Sequence, residues 1–157
     1  LLGVDMSAAD LDALVHGPTL LFYFSATCPH CQQVAPELTR LADRLAGRLA
    51  LIGIASGSNS LGEVRAFAQE FGLTFPFYKD VARSFASANE VTSTPTVLLV
   101  RPREGGGFET LAEYRPFPAG YGLVAEVREV ACRGHSFKVQ SCPRERHCRG
   151  LRLTRQD

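Results

Sequence analysis

The sequence has little net charge and no long hydrophobic run. Seventeen Lys and Arg residues against sixteen Asp and Glu leave a formal net charge of +1 over 157 residues. No strong overall field therefore points to nucleic acid or to a membrane surface as the partner. The longest apolar runs have the length of single strands, so we expect no transmembrane segment in this chain.

The sequence has no signal peptide and does not begin with Met. We interpret it as a mature or trimmed soluble piece, and a removed signal peptide or membrane anchor would leave the same sequence.

Size and charge distribution divide the chain into a body and a tail. A chain of 157 residues, 45% of them hydrophobic, suits one compact domain. Residues 1–131 contain 10 Lys and Arg against 14 Asp and Glu, whereas residues 132–157 contain 7 against 2. The second segment lacks apolar periodicity and is rich in Arg, Cys, His and Pro. We therefore predict a domain over 1–131 and a poorly ordered basic tail over 132–157.

Apolar patterning predicts alternating strands and helices in the body. Continuous apolar runs predict strands at 19–25, 49–55 and 96–100, and a glycine-rich turn leads to a further strand at 110–114. Capping residues and apolar spacing predict helices over 7–15, 28–46, 60–71, 80–88 and 120–131. Residues 76–80 are predicted to be a connector. The order predicts an α/β fold whose central mixed sheet has parallel strands and an antiparallel C-terminal hairpin, flanked by helices.

The sequence Cys28-Pro29-His30-Cys31 follows the first long strand and begins a helix. Free N–H groups and the macrodipole at a helix start favour a thiolate on the first cysteine. Pro29 suits the first helical position, which needs no N–H. His30, when protonated, would stabilise the thiolate further. Cys31 lies one turn into the helix and is predicted to be the buried, resolving thiol of a redox pair.

Two other interpretations of this pair stay open. A Cys-x-x-Cys pair can be half of a zinc site, but the only other candidate ligands lie in the tail: Cys132, His135, Cys142, His147 and Cys148. The pair could also be a structural disulfide. Five cysteines are an odd number, so at least one thiol is unpaired within the chain or pairs with a partner. Cys142 and Cys148 could form a second disulfide, or the tail could bind a metal.

The segments FYFSATCPHC and TSTPTVLLV, with the helix after the first, resemble the thioredoxin superfamily over roughly residues 5–131. The resemblance implies a thioredoxin-like fold. It also implies that Pro95 is the family's cis-proline, and that the backbone of Thr94 pairs with a substrate strand. The long segment over 54–80 is similar to TlpA/ResA-like extracytoplasmic proteins. The Pro-His dipeptide resembles DsbA-type oxidases, and the Thr before the proline resembles DsbC/DsbG-type proteins and some TlpA-like ones.

The sequence departs from these families near the cysteines. Thr27 stands where a Trp is common, and the sequence has no Trp. Phe22 and Val34 occupy positions at which thioredoxins and ResA-like reductases carry an acid that helps to deprotonate the second cysteine. Glu37, nearly one turn further along, is a weak substitute. Without a nearby base Cys31 should deprotonate reluctantly, which favours passing on a disulfide over removing one.

The resemblance implies a thiol–disulfide oxidoreductase of the bacterial periplasm. Its predicted catalytic residues are Cys28, Cys31, His30 and Pro29, its substrate-binding residues are Thr94 and Pro95, and no cofactor or metal is expected. Its partners would be protein thiols or disulfides and a redox partner protein, and we expect a monomer. A TlpA/ResA-like reductase in cytochrome c or copper-site assembly is the alternative. A metal carrier using Cys and His side chains is an alternative of another class.

Overall fold

The computed structural model describes residues 1–3, 8–45 and 47–115, which build a six-stranded mixed sheet. The strands are β1 (Leu2–Gly3), β2 (Thr19–Phe24), β3 (Ala50–Ser56), β4 (Phe77–Asp80), β5 (Thr96–Pro102) and β6 (Phe108–Tyr114). The helices are α1 (Leu11–Leu14), α2 (Pro29–Arg44), α3 (Leu61–Glu70) and α4 (Ser84–Ala88). The predicted closing helix over 120–131 and the tail over 132–157 lie outside the described residues.

The strand order in the sheet is β1-β4-β3-β2-β5-β6, with β2 near the centre. Strands β2 and β3 pair in parallel, and so do β3 and β4. Strand β5 pairs antiparallel with both β2 and β6. The parallel pair around a crossover helix and the antiparallel hairpin are thus confirmed. The turn of that hairpin passes through Gly105, Gly106 and Gly107, all with positive φ.

Side chains of β2 alternate between two apolar cores because successive residues of a strand point to opposite faces of a sheet. Leu20, Phe22 and Phe24 belong to a core with apolar residues of α2 and α3. Leu21 and Tyr23 belong to a second core with residues of α1 and α4. Burial on both faces explains why this strand is a continuous apolar run in the sequence.

Polar side chains fix the starts of the helices. Ser60 caps α3 in the predicted capping box: Oγ of Ser60 accepts the Glu63 N–H at 3.1 Å, and the Ser60 N–H donates to Oε2 of Glu63 at 2.6 Å. Fully buried Asp80 accepts the N–H groups of Phe85 and Ala86, both at 3.0 Å. Asp80 thus satisfies free N–H groups of the short helix, but the N-cap residue of α4 is Arg83, and α4 begins at Ser84 and not at the predicted residue 80.

Two predictions of local structure were wrong, and one strand was missed. The first helix begins at Leu11, with Asp10 as its N-cap, because Ala8 and Ala9 bond to the first strand region instead. Strand β1 was missed, since two residues carry no periodicity. Residues 76–80 are not a connector: Phe77–Asp80 pairs with β3, and this pairing depends on Gly53. A Cβ at Gly53 would lie 2.5 Å from Cδ1 of Phe77, so only glycine admits that ring.

Candidate active site

Cys28 is the N-cap of α2, directly after the loop that leaves the central strand β2. Its N–H donates to the carbonyl of Ser25 at 3.1 Å, and its own carbonyl accepts the Gln32 N–H at 3.2 Å. Pro29 is exposed at the start of the helix, where the missing N–H costs no helical hydrogen bond. The sheet and the helix together therefore place the Cys28 thiol at the edge of the molecule.

The Cys28 thiol is partly exposed, and its pKa is lowered from the ordinary thiol value. Partial burial opposes the charged form. Hydrogen bonds from the Cys31 thiol and the Cys31 backbone outweigh that burial, and the Thr94 side chain and the His30 backbone add to them. The backbone donors of His30 and Cys31 lie at a helix start, where N–H groups have no partner within the helix. Cys28 is thus the thiol prepared to act as a nucleophile.

Cys31 lies one turn into α2 and is fully buried among apolar side chains. Its pKa is raised to about 12, chiefly by burial and in part by the neighbouring Cys28, against hydrogen bonds from the Ser25 backbone and the Thr94 side chain. Phe22 and Val34 belong to the same buried core, so these two positions offer apolar atoms and no acid. Cys31 therefore keeps its proton at neutral pH.

The segment before β5 lies against the cysteine pair. The Thr94–Pro95 peptide bond is cis, and Pro95 is buried. The Cys28 Sγ lies 3.8 Å from the carbonyl oxygen of Thr94 and donates to it in the thiol form. The Thr96 hydroxyl donates to the carbonyl of Ser93 at 2.8 Å and so fixes the turn that carries Thr94. Residues that are far apart in sequence, Cys28 and Thr94, thus share one site.

His30 is partly buried in the first turn of α2. Its backbone supplies one of the hydrogen bonds that lower the pKa of Cys28. This contribution does not depend on the imidazole, so the predicted tuning by a protonated His30 side chain stays a prediction.

Sequence reasoning missed the residues that hold the loop before Cys28. The Ala26 N–H donates to Oδ1 of Asn59 at 3.2 Å, and the Gln32 side-chain amide donates to the Ala26 carbonyl at 3.1 Å. Asn59 lies in the loop between β3 and α3, 33 residues from Ala26. Nothing in the sequence pattern marks this contact, because a single Asn before a helix is an ordinary loop residue.

Arg115 was missed as well. Its guanidinium donates to the carbonyl of Glu90 at 2.8 Å and contacts the Thr92 hydroxyl at 3.4 Å, and it forms an ion pair with Glu113. It therefore ties the end of β6 to the segment that leads to Thr94.

Two further properties bear on the alternatives. Within residues 1–3, 8–45 and 47–115, no group of three or more His, Cys, Asp or Glu side chains is arranged to hold a metal ion. The tail candidates Cys132, His135, Cys142, His147 and Cys148 lie outside these residues. No helix in the described part of the chain is both long and apolar enough to cross a membrane.

Comparison with known proteins decides the family. The sequence pattern of the thioredoxin-like family matches residues 17–105, from the start of β2 to the turn after β5. The chain belongs to the thioredoxin-like family. The match includes both cysteines and the Thr94–Pro95 segment. The family and the mixed-sheet fold expected from the resemblance are therefore confirmed.

Individual relatives of this thioredoxin-like chain agree with the family. It is 34% identical to the thioredoxin-like protein YneN of Bacillus subtilis (strain 168) over 83 residues, 52% of this chain and 48% of YneN. The chain thus spans about half the length of that relative.

Two solved structures show the same fold. One is a secreted Mycobacterium tuberculosis disulfide oxidoreductase homologous to E. coli DsbE, at 19% identity and TM-score 0.63, covering 84% of this chain and 92% of that one. The other is the thioredoxin domain of a thiol-disulfide oxidoreductase from Bacteroides vulgatus, at 13% identity and TM-score 0.69, covering 83% and 90%. At these identities the likeness concerns the fold alone.

Proposed function

We propose that this protein is a thiol–disulfide oxidoreductase that exchanges disulfides with protein substrates through Cys28 and Cys31, with the oxidising direction favoured. The observation that carries the proposal is the contrast between the two thiols. The pKa of the partly exposed Cys28 is lowered, whereas burial raises the pKa of Cys31 to about 12. Disulfide exchange requires one accessible thiolate and one protected resolving thiol, and this pair supplies both.

In the oxidising direction the Cys28–Cys31 disulfide meets a substrate thiolate. The substrate sulfur attacks Sγ of Cys28, the bond between the two cysteines breaks, and Cys31 leaves and takes up a proton. A second substrate thiolate then attacks the substrate sulfur of the mixed disulfide. Cys28 leaves as a thiolate, the substrate gains a disulfide, and the pair holds the two electrons. The sulfur atoms carry these electrons, so the exchange needs no bound cofactor.

The direction follows from what stabilises the reduced pair. The hydrogen bonds around Cys28 stabilise the negative charge of its thiolate. The sulfur of the disulfide carries no such charge, so these hydrogen bonds do not stabilise the oxidised form in the same way. They therefore stabilise the reduced form and make the disulfide a stronger oxidant. The reducing direction also needs Cys31 to lose its proton, and its apolar surroundings oppose that loss.

The substrate would bind beside Thr94. The Thr94 carbonyl lies 3.8 Å from the attacked sulfur, and disulfide formation removes the thiol proton that it accepts. The carbonyl is then available to a backbone N–H of an extended substrate segment, in the manner of an added strand. We propose unfolded or partly folded protein thiols as substrates and a separate redox protein as the electron acceptor.

We propose an extracytoplasmic location, since an oxidant of protein thiols works where disulfides persist. The secreted Mycobacterium tuberculosis structure with the same fold supports this placement. A reductase of the TlpA/ResA type would use the same pair in the opposite direction. A metal carrier using the Cys28 and Cys31 thiolates or the tail Cys and His side chains is the candidate of another class, and a site of three or more such ligands would have to include residues outside the described part of the chain.

Trapping tests the proposal. In a Cys31→Ser variant the resolving thiol is absent. The Cys28 thiolate should therefore attack the disulfide of an oxidised substrate protein, release one substrate thiolate and stay in a mixed disulfide that accumulates. A Cys28→Ser variant should form none and should not oxidise substrate thiols. Oxidation activity retained in Cys28→Ser would refute the proposal, and stoichiometric zinc or copper in inactive protein purified under reducing conditions would favour the carrier.

A further inference from the structure

We propose that Asn59 and Gln32 are positioning residues. Their hydrogen bonds to Ala26 fix the loop Ser25–Thr27 and thereby set the reactivity of the cysteine pair. The inference rests on the proposed exchange function of Cys28 and Cys31. It assigns to these two side chains a part in tuning the reaction without contact with the substrate.

Ala26 is held through both of its backbone polar groups. Its N–H donates to Oδ1 of Asn59 at 3.2 Å, and its carbonyl accepts the Gln32 side-chain amide at 3.1 Å. The loop residue has left the sheet and has not entered the helix, so neither element supplies it with partners. Two side chains from different parts of the fold supply them instead.

Asn59 can hold the loop because it is itself fixed. Its side chain is 3% exposed, and its N–H donates to the carbonyl of Ser56 at 3.0 Å. Gly57, two residues earlier, packs closely on the end of β4, since a Cβ there would lie 2.5 Å from the carbonyl oxygen of Asp80. Ser60 then begins α3 in a complete capping box. Asn59 thus connects Ala26 to a rigid frame.

Ser25 connects the loop to both cysteines, through the backbone of Cys28 and the thiol of Cys31. The Ser25 carbonyl accepts the Cys28 N–H at 3.1 Å, and the Ser25 backbone hydrogen-bonds to the Cys31 thiol. Gln32 joins the same loop to the first turn of α2, which provides the donors around Cys28. If Ala26 is released, Cys28 can move away from these donors. Its thiolate then loses stabilisation, and the disulfide becomes a weaker oxidant.

The experiment compares Asn59→Ala, Gln32→Ala and the double variant with the unchanged protein. Thr39→Val is the matched control, since it removes a side-chain hydrogen bond to the backbone at 3.2 Å, in the same helix but away from the loop. The readout is the rate of alkylation of Cys28 against pH, followed on the Cys28 peptide by mass spectrometry. The reduction potential of the pair and the midpoint of urea unfolding are measured alongside.

We expect each single variant to raise the measured pKa of Cys28 by about 0.5 and to slow alkylation below that pKa about threefold, as the loss of one hydrogen bond implies. The double variant should add little to the larger single effect, because both side chains act on one loop residue. Thr39→Val should leave the alkylation profile unchanged. Gln32→Ala should fold even if Asn59→Ala does not, since Gln32 is only partly buried and Ala favours helix.

A lowered unfolding midpoint with an unchanged Cys28 profile and potential in both variants would reduce Asn59 and Gln32 to structural residues and overturn the inference. An equal shift in Thr39→Val would overturn it too. Failure of the exchange function is a separate outcome, visible as Cys28→Ser oxidising substrate like the unchanged protein.

Discussion

The Sγ of Cys28 lies 3.8 Å from the carbonyl oxygen of Thr94, although the two residues are 66 positions apart. The contact joins the start of α2 to the segment before β5, and it exists because β2 and β5 pair directly in the sheet. Thr94 therefore contacts Cys28 both as a thiol and as a thiolate. The Thr94 carbonyl accepts the proton of the Cys28 thiol, and the Thr94 side chain helps to lower the pKa of Cys28.

The direction of electron flow is open to direct measurement. Because the Cys28 thiolate is stabilised, we expect a reduction potential closer to the value of about −120 mV found for DsbA than to the value of about −270 mV of thioredoxin. In a glutathione buffer poised near −200 mV the pair should be mostly reduced, as read from the mass of the peptide that contains both cysteines. A mostly oxidised pair in that buffer would assign this protein to the reductases.

The backbone of His30 should matter more to Cys28 than its imidazole does. We expect His30→Pro to raise the pKa of Cys28 by about 0.5 to 1 beyond His30→Ala, because only proline removes the N–H while remaining compatible with the first helical turn. The pKa of Cys28 in each of the two variants is measured from the rate of iodoacetamide alkylation of Cys28 across pH. The change already present in His30→Ala reports the imidazole contribution, and equal profiles for the two variants would assign the whole effect to the side chain.

Burial of Cys31 should make the reduced protein sensitive to alkali. Its pKa is about 12 in the folded protein, against about 8.5 for a thiol in an unfolded chain. Between these values the unfolded state loses the proton first. The free energy of unfolding should therefore fall as pH rises, by up to about 1.4 kcal/mol per pH unit from this group.

Urea unfolding under reducing conditions between pH 8 and 10.5 tests that slope. The Cys31→Ala variant is the control: it is expected to be less stable throughout, because a buried side chain is shortened, but to lose less stability per pH unit. Parallel curves for the two proteins would show that Cys31 does not titrate in the manner described.

Asp80 should be the most costly helix cap to remove. It is fully buried and accepts two backbone N–H groups and the Ser84 hydroxyl, so Asp80→Ala should lower the free energy of unfolding by about 2–3 kcal/mol. Ser60→Ala, at an exposed cap, should cost about 1 kcal/mol. Urea titration measures both, and a loss for Asp80→Ala no larger than that for Ser60→Ala would contradict the argument from burial.

The sequence alone determined the elements that depend on local pattern. Uniform apolar runs marked β2, β3 and β5, because a strand buried on both faces needs no polar alternation. The capping box of Ser60 and Glu63 marked the start of α3, since the two residues satisfy each other across one turn. The spacing of Cys28 and Cys31 at a strand-to-helix junction marked the redox pair in the same way, because the two cysteines are neighbours across one helical turn and no distant residue is needed to recognise them.

Tertiary structure decided what depends on distant partners. Strand β4 exists only because β3 accepts it, with Gly53 making room for Phe77. The rise of the Cys31 pKa comes from a core assembled by several elements, and no local pattern measures that burial. The position of Thr94 beside Cys28 was expected only from a family resemblance. The hydrogen bond between Asn59 and Ala26 was not expected at all. The physical reason is that a hydrogen bond between two loops depends on the packed distance between them, whereas sequence spacing specifies only neighbours along one strand or one helix.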